Sequence, residues 1–134
     1  MSETQSKPRG LATKPQHYFI VIDGPYLGVI APVDTTGGFK IGRDFSSHFI
    51  VPHAAISRRH VRLFLRNGAV WIEDLNSKNG TILKGICLRA SATLNPGDWV
   101  VLANTVTLLF VKEDAHGTLG RLYVAYAKPA IPSR

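Results

Sequence analysis

Short apolar runs alternate with turn residues between positions 17 and 112, a pattern that predicts strands. The run at 60–66 is the clearest, because Val61 and Leu63 fall on one face while Arg62 and Arg66 fall on the other. Such alternation is typical of a strand with one buried and one wet face. The other runs predict strands at 17–23, 26–31, 39–43, 49–51, 70–75, 81–83, 86–89, 99–102 and 105–111. About eleven short strands, with no helix before residue 113, predict an all-β sandwich of two antiparallel sheets.

The pattern also divides the chain into three parts. Residues 1–16 are polar, contain Pro and Gly and show no period, so we expect a flexible N-terminal tail. Residues 17–112 form the predicted domain. Residues 113–134 are predicted to be a C-terminal extension or linker, in which 119–127 fits either a strand or a short helix. Pro32 is expected to end the second strand.

Composition narrows the class of partner. The chain of 134 residues is long enough for one domain with a core, and its net charge of +7 favours an anionic partner such as nucleic acid or phosphorylated protein. Cys87 is the single cysteine, so no internal disulfide can form and a reducing compartment is expected. No signal peptide and no membrane-spanning run are found in the sequence. We therefore expect a cytoplasmic protein with no membrane partner.

Three polar clusters fall where the apolar pattern breaks. They are Gly42-Arg43, Ser57-Arg58-Arg59-His60 and Asn76-Ser77-Lys78-Asn79-Gly80-Thr81. A guanidinium can hold a phosphate with two parallel hydrogen bonds, and a side-chain amide can bracket a peptide unit. Ser57 and His60 stand three apart on a predicted turn, without an orienting acid, which argues against a nucleophile and base. The clusters predict a binding site for an anion and a strip of backbone, not an enzyme, and no cofactor is expected.

In order and spacing these clusters resemble the forkhead-associated (FHA) domain, whose pattern is Gly-Arg, then Ser-x-x-His, then an Asn-Gly-Thr turn. The matching residues are Gly42-Arg43, Ser57 with His60, and Asn79-Gly80-Thr81, and the resemblance spans roughly residues 17–112. It implies a β-sandwich that binds phosphothreonine peptides. Two positions depart from the family pattern. His48 stands where the family usually has Asp, and Lys78 stands where a small polar residue is common.

The resemblance also implies the roles of individual residues. They are Arg43, Ser57, Arg58 and Lys78 for the phosphate, Asn79 for the peptide backbone, and Gly42, His60, Gly80 and Thr81 for bracing the loops. The implied partner is a phosphothreonine-containing protein, the substrate of a Ser/Thr kinase. Threonine is expected over serine, because the family provides a small pocket for its γ-methyl group.

Other interpretations remain open on the sequence alone. Thr4 is a candidate phosphosite, through which the protein would bind its own tail. The same fold could serve as a phosphate-independent scaffold. The positive charge could also bind nucleic acid, although the arginine-bearing strand shows only Phe64 as an exposed aromatic on which a base could stack. His48, His53 and His60 match no metal-ligand spacing, so no metal is expected.

Overall fold

The computed structural model of the protein describes residues 15–126, and the predictions for residues 1–14 and 127–134 lie outside that range. Eleven strands and one helix make up the described part. The strands are β1 His17–Asp23, β2 Ile30–Val33, β3 Phe39–Gly42, β4 Phe49–Ile50, β5 Val61–Arg66, β6 Ala69–Asp74, β7 Thr81–Leu83, β8 Ile86–Cys87, β9 Ala92–Thr93, β10 Trp99–Leu102 and β11 Val106–Lys112. The helix α1 is Thr118–Tyr126.

The strands form two sheets that pack face to face. One has six strands in the order β2-β1-β11-β10-β7-β8, and the other has five in the order β4-β3-β5-β6-β9. This arrangement confirms the predicted all-β sandwich. One correction concerns β3 and β4, which pair in parallel with Ile41 opposite Phe49, so the smaller sheet is mixed. In a parallel pair the chain must run back along β3 before β4 begins. The loop over 43–48 can cover that distance because β4 has only two residues.

The inward faces of both sheets supply one core. Phe19 of β1 and Phe110 of β11 are fully buried, with ring centroids 5.3 Å apart. Ile41, Leu63 and Ile72 of the five-stranded sheet are also fully buried. Burying an aliphatic or aromatic side chain of this size stabilises the fold by about 1.5–3 kcal/mol. The core therefore lies between the sheets, and the loops that connect the strands lie outside it, at the ends of the sandwich.

Strand β2 lies further along the chain than the apolar pattern predicts. The predicted strand at 26–31 is partly a turn, since Tyr26 and Gly28 have positive φ angles of 70° and 91°. Pro32 was expected to end the strand but lies inside it. Its missing N–H is tolerated because β2 is the edge strand of its sheet and needs hydrogen bonds on one side only.

Residues 118–126 of the C-terminal segment form a helix, one of the two structures that the sequence there allows. Two acidic residues fix its start. The Asp114 carboxylate accepts the N–H of Thr118 at 3.0 Å, and the Glu113 carboxylate accepts the N–H groups of Leu119 and Gly120 at 2.9 and 2.8 Å. These bonds satisfy donors that have no partner within the first turn of a helix. Within residues 15–126, no helix is long and apolar enough to cross a membrane.

Candidate functional site

Three loops meet at one end of the sandwich, because β3 ends, β5 begins and β6 ends at the same edge of their sheet. The first loop covers 43–48, the second 51–60 and the third 75–80. An open cleft lies between the first two loops. It is lined by Arg43, Asp44, Ser57, Arg58 and Arg59. We refer to it as the arginine cleft.

Backbone hydrogen bonds hold the first two loops together. The N–H of Arg43 donates to the carbonyl of Ser57 at 3.0 Å, and the N–H of Asp44 donates to the carbonyl of Arg58 at 3.1 Å. Gly42 makes this close approach possible, since a Cβ at that position would lie 2.1 Å from the carbonyl oxygen of Arg58. The missing side chain of Gly42 therefore lets the first two loops pack closely, and this contact places Arg43 beside Ser57.

Arg43 presents a guanidinium with a fixed orientation. Its Nε donates to the carbonyl of Ile56 at 2.9 Å. A guanidinium has five donors, and the terminal Nη groups of Arg43 have no acceptor among residues 15–126. The carboxylate of Glu73 in β6 is paired with Arg62 at 2.7 Å. Arg43 can therefore offer two parallel N–H groups to an anion.

The hydroxyl of Ser57 joins the second loop to the third. Its Oγ accepts the backbone N–H of Lys78 at 2.9 Å. A hydroxyl also carries a proton of its own, and that proton remains free to be donated to a ligand oxygen. The same bond fixes the backbone of Lys78 at the border of the cleft, while its side chain is exposed.

His60 lies beneath Ser57 and is 0% exposed. Its Nδ1 accepts the N–H of Ser57 at 3.1 Å, so the ring proton is on Nε2, which donates to the carbonyl of Gly80 at 2.9 Å. Burial lowers the pKa of His60, although the Gly80 carbonyl and Asp74 act in the opposite direction. Both ring nitrogens are bonded to backbone groups, so neither can take the hydroxyl proton of Ser57. The two side chains are not arranged as a nucleophile and a base.

Asp74, at the end of β6, organises the third loop. Its carboxylate accepts the N–H of Ser77 at 2.9 Å and the hydroxyls of Ser77 and Thr81 at 2.6 Å each. Burial by itself would raise the pKa of Asp74, but these hydrogen bonds lower it below its usual value. Gly80 has a φ of 85° and donates its N–H to the Ser77 hydroxyl at 3.0 Å. Thr81 lies beneath the loop, 1% exposed, and does not face the cleft.

Asn79 reaches from the third loop to the second. Its Nδ2 donates to the carbonyl of Ala55 at 2.9 Å. Because a carbonyl can only accept, the amide nitrogen must be the atom that faces Ala55. The Oδ1 atom and the second N–H remain for a ligand, and the side chain is exposed.

The three histidines of this region each accept a backbone N–H through Nδ1. His48 accepts from Lys40 at 2.9 Å and His53 accepts from Ala55 at 3.0 Å, as His60 does from its own loop. His48, where the FHA pattern has Asp, thus ties the end of the first loop to β3. In the described part of the chain, no group of three or more metal-ligating side chains comes together.

The structure gathers most of the predicted site residues at one end of the molecule. Arg43, Ser57 and Arg58 line the arginine cleft, while Lys78 and Asn79 are fixed at the border of the second and third loops. The predicted bracing residues lie beneath or between these loops; they are Gly42, His60, Gly80 and Thr81. The candidate phosphosite Thr4 lies outside the described residues.

Two residues of the cleft were missing from the sequence-based site. Arg59 lines it beside Arg58, and the adjacent basic pair was a signal that could have found it. Asp44 adds a negative charge to the wall, and a hydrogen bond from the Ser46 hydroxyl at 2.6 Å lowers its pKa. No pattern in the sequence points to Asp44. The cleft is therefore cationic overall, with three arginines and one carboxylate.

Residues 39–103 match the family model described as FHA domain. No curated protein matches the sequence. The FHA domain of a hypothetical protein from Arabidopsis thaliana has a TM-score of 0.70 at 26% identity, covering 83% of this chain and 96% of that chain. The FHA domain of the CT664 protein from Chlamydia trachomatis has a TM-score of 0.66 at 27% identity, covering 74% of this chain and 99% of that chain.

A further similar structure was solved with a ligand. It is the MEK1 FHA domain in complex with a phosphothreonine peptide of HOP1, with a TM-score of 0.60 at 20% identity, covering 75% of this chain and all of that chain. The family match spans the arginine cleft and the three loops around it. Sequence and fold agree. This chain contains an FHA domain.

Proposed function

We propose that this protein is a phosphopeptide-binding signalling module, not an enzyme, and that it recognises phosphothreonine on a partner protein. The observation that carries the proposal is the convergence of Arg43, Ser57 and Arg58 on one open cleft, with the guanidinium of Arg43 already oriented. A phosphate monoester carries about 1.5–2 negative charges near pH 7 and three acceptor oxygens, which suits these donors. The phosphothreonine complex of the similar MEK1 FHA domain supports this ligand class.

Each donor then has a place in the complex. Arg43 holds two phosphate oxygens and the Ser57 hydroxyl donates to a third, while Arg58 and Lys78 add attraction from the sides of the cleft. The free amide atoms of Asn79 bond the peptide backbone. Gly42, His60, Gly80 and Thr81 brace the loops. Supporting this division, three of the four bracing residues, Gly42, His60 and Thr81, are buried, whereas the proposed ligand-binding side chains are exposed or half-buried.

The proposed partner is a substrate of a Ser/Thr kinase in the cytoplasm. The chain's own Thr4, once phosphorylated, is a second source of the same ligand. If the tail docks in the cleft, a Thr4-phosphorylated chain should bind an added phosphopeptide more weakly than the unmodified chain does. Equal binding by both forms would leave the partner protein as the source.

The test is a titration of residues 1–134 with one degenerate peptide library in three forms, carrying Thr, phospho-Thr or phospho-Ser. Binding confined to the phospho-Thr form is expected. Equal binding to all three forms would indicate a phosphate-independent scaffold instead.

A nucleic-acid ligand would behave differently in the same assay. Its affinity would fall steeply with salt and would be indifferent to added phosphothreonine peptide. The outer face of β5 and β6 does hold two aromatics, Phe64 and Trp71, but arginine guanidiniums lie over both rings at 4.6 Å. A base could not stack on those ring faces without displacing Arg62 and Arg66.

A further inference from the structure

The outer face of the six-stranded sheet is apolar. In an antiparallel sandwich the outward side chains are usually polar, because they meet water. Here the outward positions, which alternate with core residues, are Tyr18, Ile20, Ile22, Ile30, Pro32, Ile82, Cys87, Trp99, Val101, Thr107, Leu109 and Val111. We call this surface the apolar face. Its strands bring one charged residue to it, Asp23, which sits at the border beyond a β-bulge.

The opposite sheet shows the usual pattern. Its outward positions include Lys40, Arg62, Arg66 and Glu73. Arg62 and Glu73 form an ion pair, and the two arginines lie over aromatic rings of the same face. The outer face of the five-stranded sheet is therefore polar and suited to contact with water, whereas that of the six-stranded sheet is apolar.

Helix α1 covers one corner of the apolar face. Tyr18 points outward from β1 yet is only 3% exposed, and a Cβ added to Gly120 would lie 3.1 Å from its hydroxyl. Within residues 15–126 the remainder of the face is uncovered at Trp99 and Ile22, which are each 43% exposed. Large uncovered apolar surfaces on folded proteins mark sites of interaction.

We propose that the apolar face of one chain packs on the apolar face of a second copy, forming a two-fold symmetric dimer. In such a contact each surface meets itself, so it tolerates apolar side chains but not an excess of one charge. Residues 39–80 contain seven Lys or Arg and three Asp or Glu, whereas the rest of the described chain contains four and five. The excess of positive charge therefore lies at the arginine cleft and on the five-stranded sheet, not on the apolar face. Two apolar faces can meet without strong repulsion.

The size of the face places the contact among small protein interfaces. Six strands spaced about 4.8 Å apart span about 24 Å, and five or six residues along β1 and β11 span about 17–20 Å. Each copy would bury at most about 400–500 Å², or about 800–1,000 Å² in total, because α1 covers one corner and the outer strands are short, and this is at the low end of specific interfaces. The dimer is therefore weak and reversible. The arginine cleft lies on the loops at the end of the sandwich and stays open in it.

Sedimentation equilibrium of residues 1–134, from about 10 µM to about 1 mM, tests the proposal. The wild type should dimerise within this range. Trp99→Lys, a change at an exposed position of the apolar face, should raise the dissociation constant at least about tenfold, because it places a charge in the contact. The matched control is Leu65→Lys, a similarly exposed (48%) position in the other sheet, which should leave it unchanged.

A second measurement needs no variant. Backbone amide chemical shifts of the wild type, followed on dilution through the same range, should change in β1, β10 and β11 and stay constant in β5 and β6. A wild type that stays monomeric at the highest concentration overturns the proposal. So does a dimer that Trp99→Lys leaves intact, or shift changes confined to the five-stranded sheet. These outcomes are independent of phosphopeptide binding, which is measured in a separate titration.

Discussion

At the scale of single residues, Arg43 should contribute more to affinity than any other side chain of the cleft. Its Nε is held by the Ile56 carbonyl, so the charged end is oriented before a ligand arrives. We expect Arg43→Ala to weaken phosphothreonine-peptide binding by about 2–5 kcal/mol, since the phosphate loses a charged partner with two hydrogen bonds. Arg43→Lys should also weaken it, because an ammonium cannot form two parallel bonds. Isothermal titration calorimetry measures both.

The control for this prediction is Arg66→Ala. That arginine lies over the Trp71 ring on the outer face of the sheet, away from the cleft, and its removal lowers the net charge by the same amount. Peptide affinity should stay within about 0.5 kcal/mol of the wild type. If Arg43→Ala binds as tightly as Arg66→Ala does, the phosphate does not sit at Arg43.

From sequence alone, a candidate residue could be singled out where its side chain acts by its own chemistry. Arg43 and Ser57 could be identified because guanidinium and hydroxyl groups at that spacing resemble a known pattern, and the structure brings them into one cleft. The carbonyls of Ile56 and Ala55, which orient Arg43 and Asn79, could not be identified. Every residue has a carbonyl, and only the folded path of the loop decides which one meets a distant side chain.

At the scale of elements, Gly42 controls the junction of the first two loops. A Cβ there would lie 2.1 Å from the carbonyl oxygen and 2.8 Å from the carbonyl carbon of Arg58, and backbone atoms cannot move aside like the end of a flexible side chain. We expect Gly42→Ala to lower the free energy of unfolding by about 1–3 kcal/mol or more. It should also weaken peptide binding, because Arg43 moves with the strand end. Urea unfolding and calorimetry report the two effects.

Gly37→Ala is the matched control for Gly42→Ala. No atom lies within 4 Å of a Cβ built at Gly37, and its φ is not positive. The free energy of unfolding should stay constant or rise slightly, since alanine restricts the unfolded chain. An equal loss of stability in both variants would mean that the close approach to Arg58 does not affect the free energy of unfolding.

Strands were predictable as far as their hydrophobic period reached. The run at 60–66 gave β5 to within one residue, because alternation and the Asn-Gly turn after it act locally. The two-residue strand β9, Ala92–Thr93, is too short to show a period and was not among the predicted runs. The parallel pairing of β3 with β4 also escaped prediction, because it depends on how the first loop returns beside the sheet.

At the scale of the whole molecule, mild acid should destabilise the unliganded protein through its buried histidine. The neutral ring of His60 links the second loop to the third, and burial lowers its pKa in the folded state below the usual 6.5. The unfolded chain therefore binds a proton more readily. Stability from this group is complete above about pH 6.5 and is lost as the pH falls toward the lowered pKa, with a slope of at most about 1.4 kcal/mol per pH unit. Asp74, whose pKa is lowered from 3.8, loses its contribution only in stronger acid.

Burial and the charge of Lys112 also lower the pKa of His17, so that residue must be removed before the slope is assigned to His60. Urea unfolding of His17→Gln at pH 7.5, 6.5 and 5.5 should still show the free energy of unfolding falling below about pH 6.5. A constant free energy of unfolding in His17→Gln across this range would show that protonated His60 is tolerated beneath Ser57. Any acid sensitivity of peptide binding would then come from the ligand, since the phosphate loses charge near its second pKa of about 6.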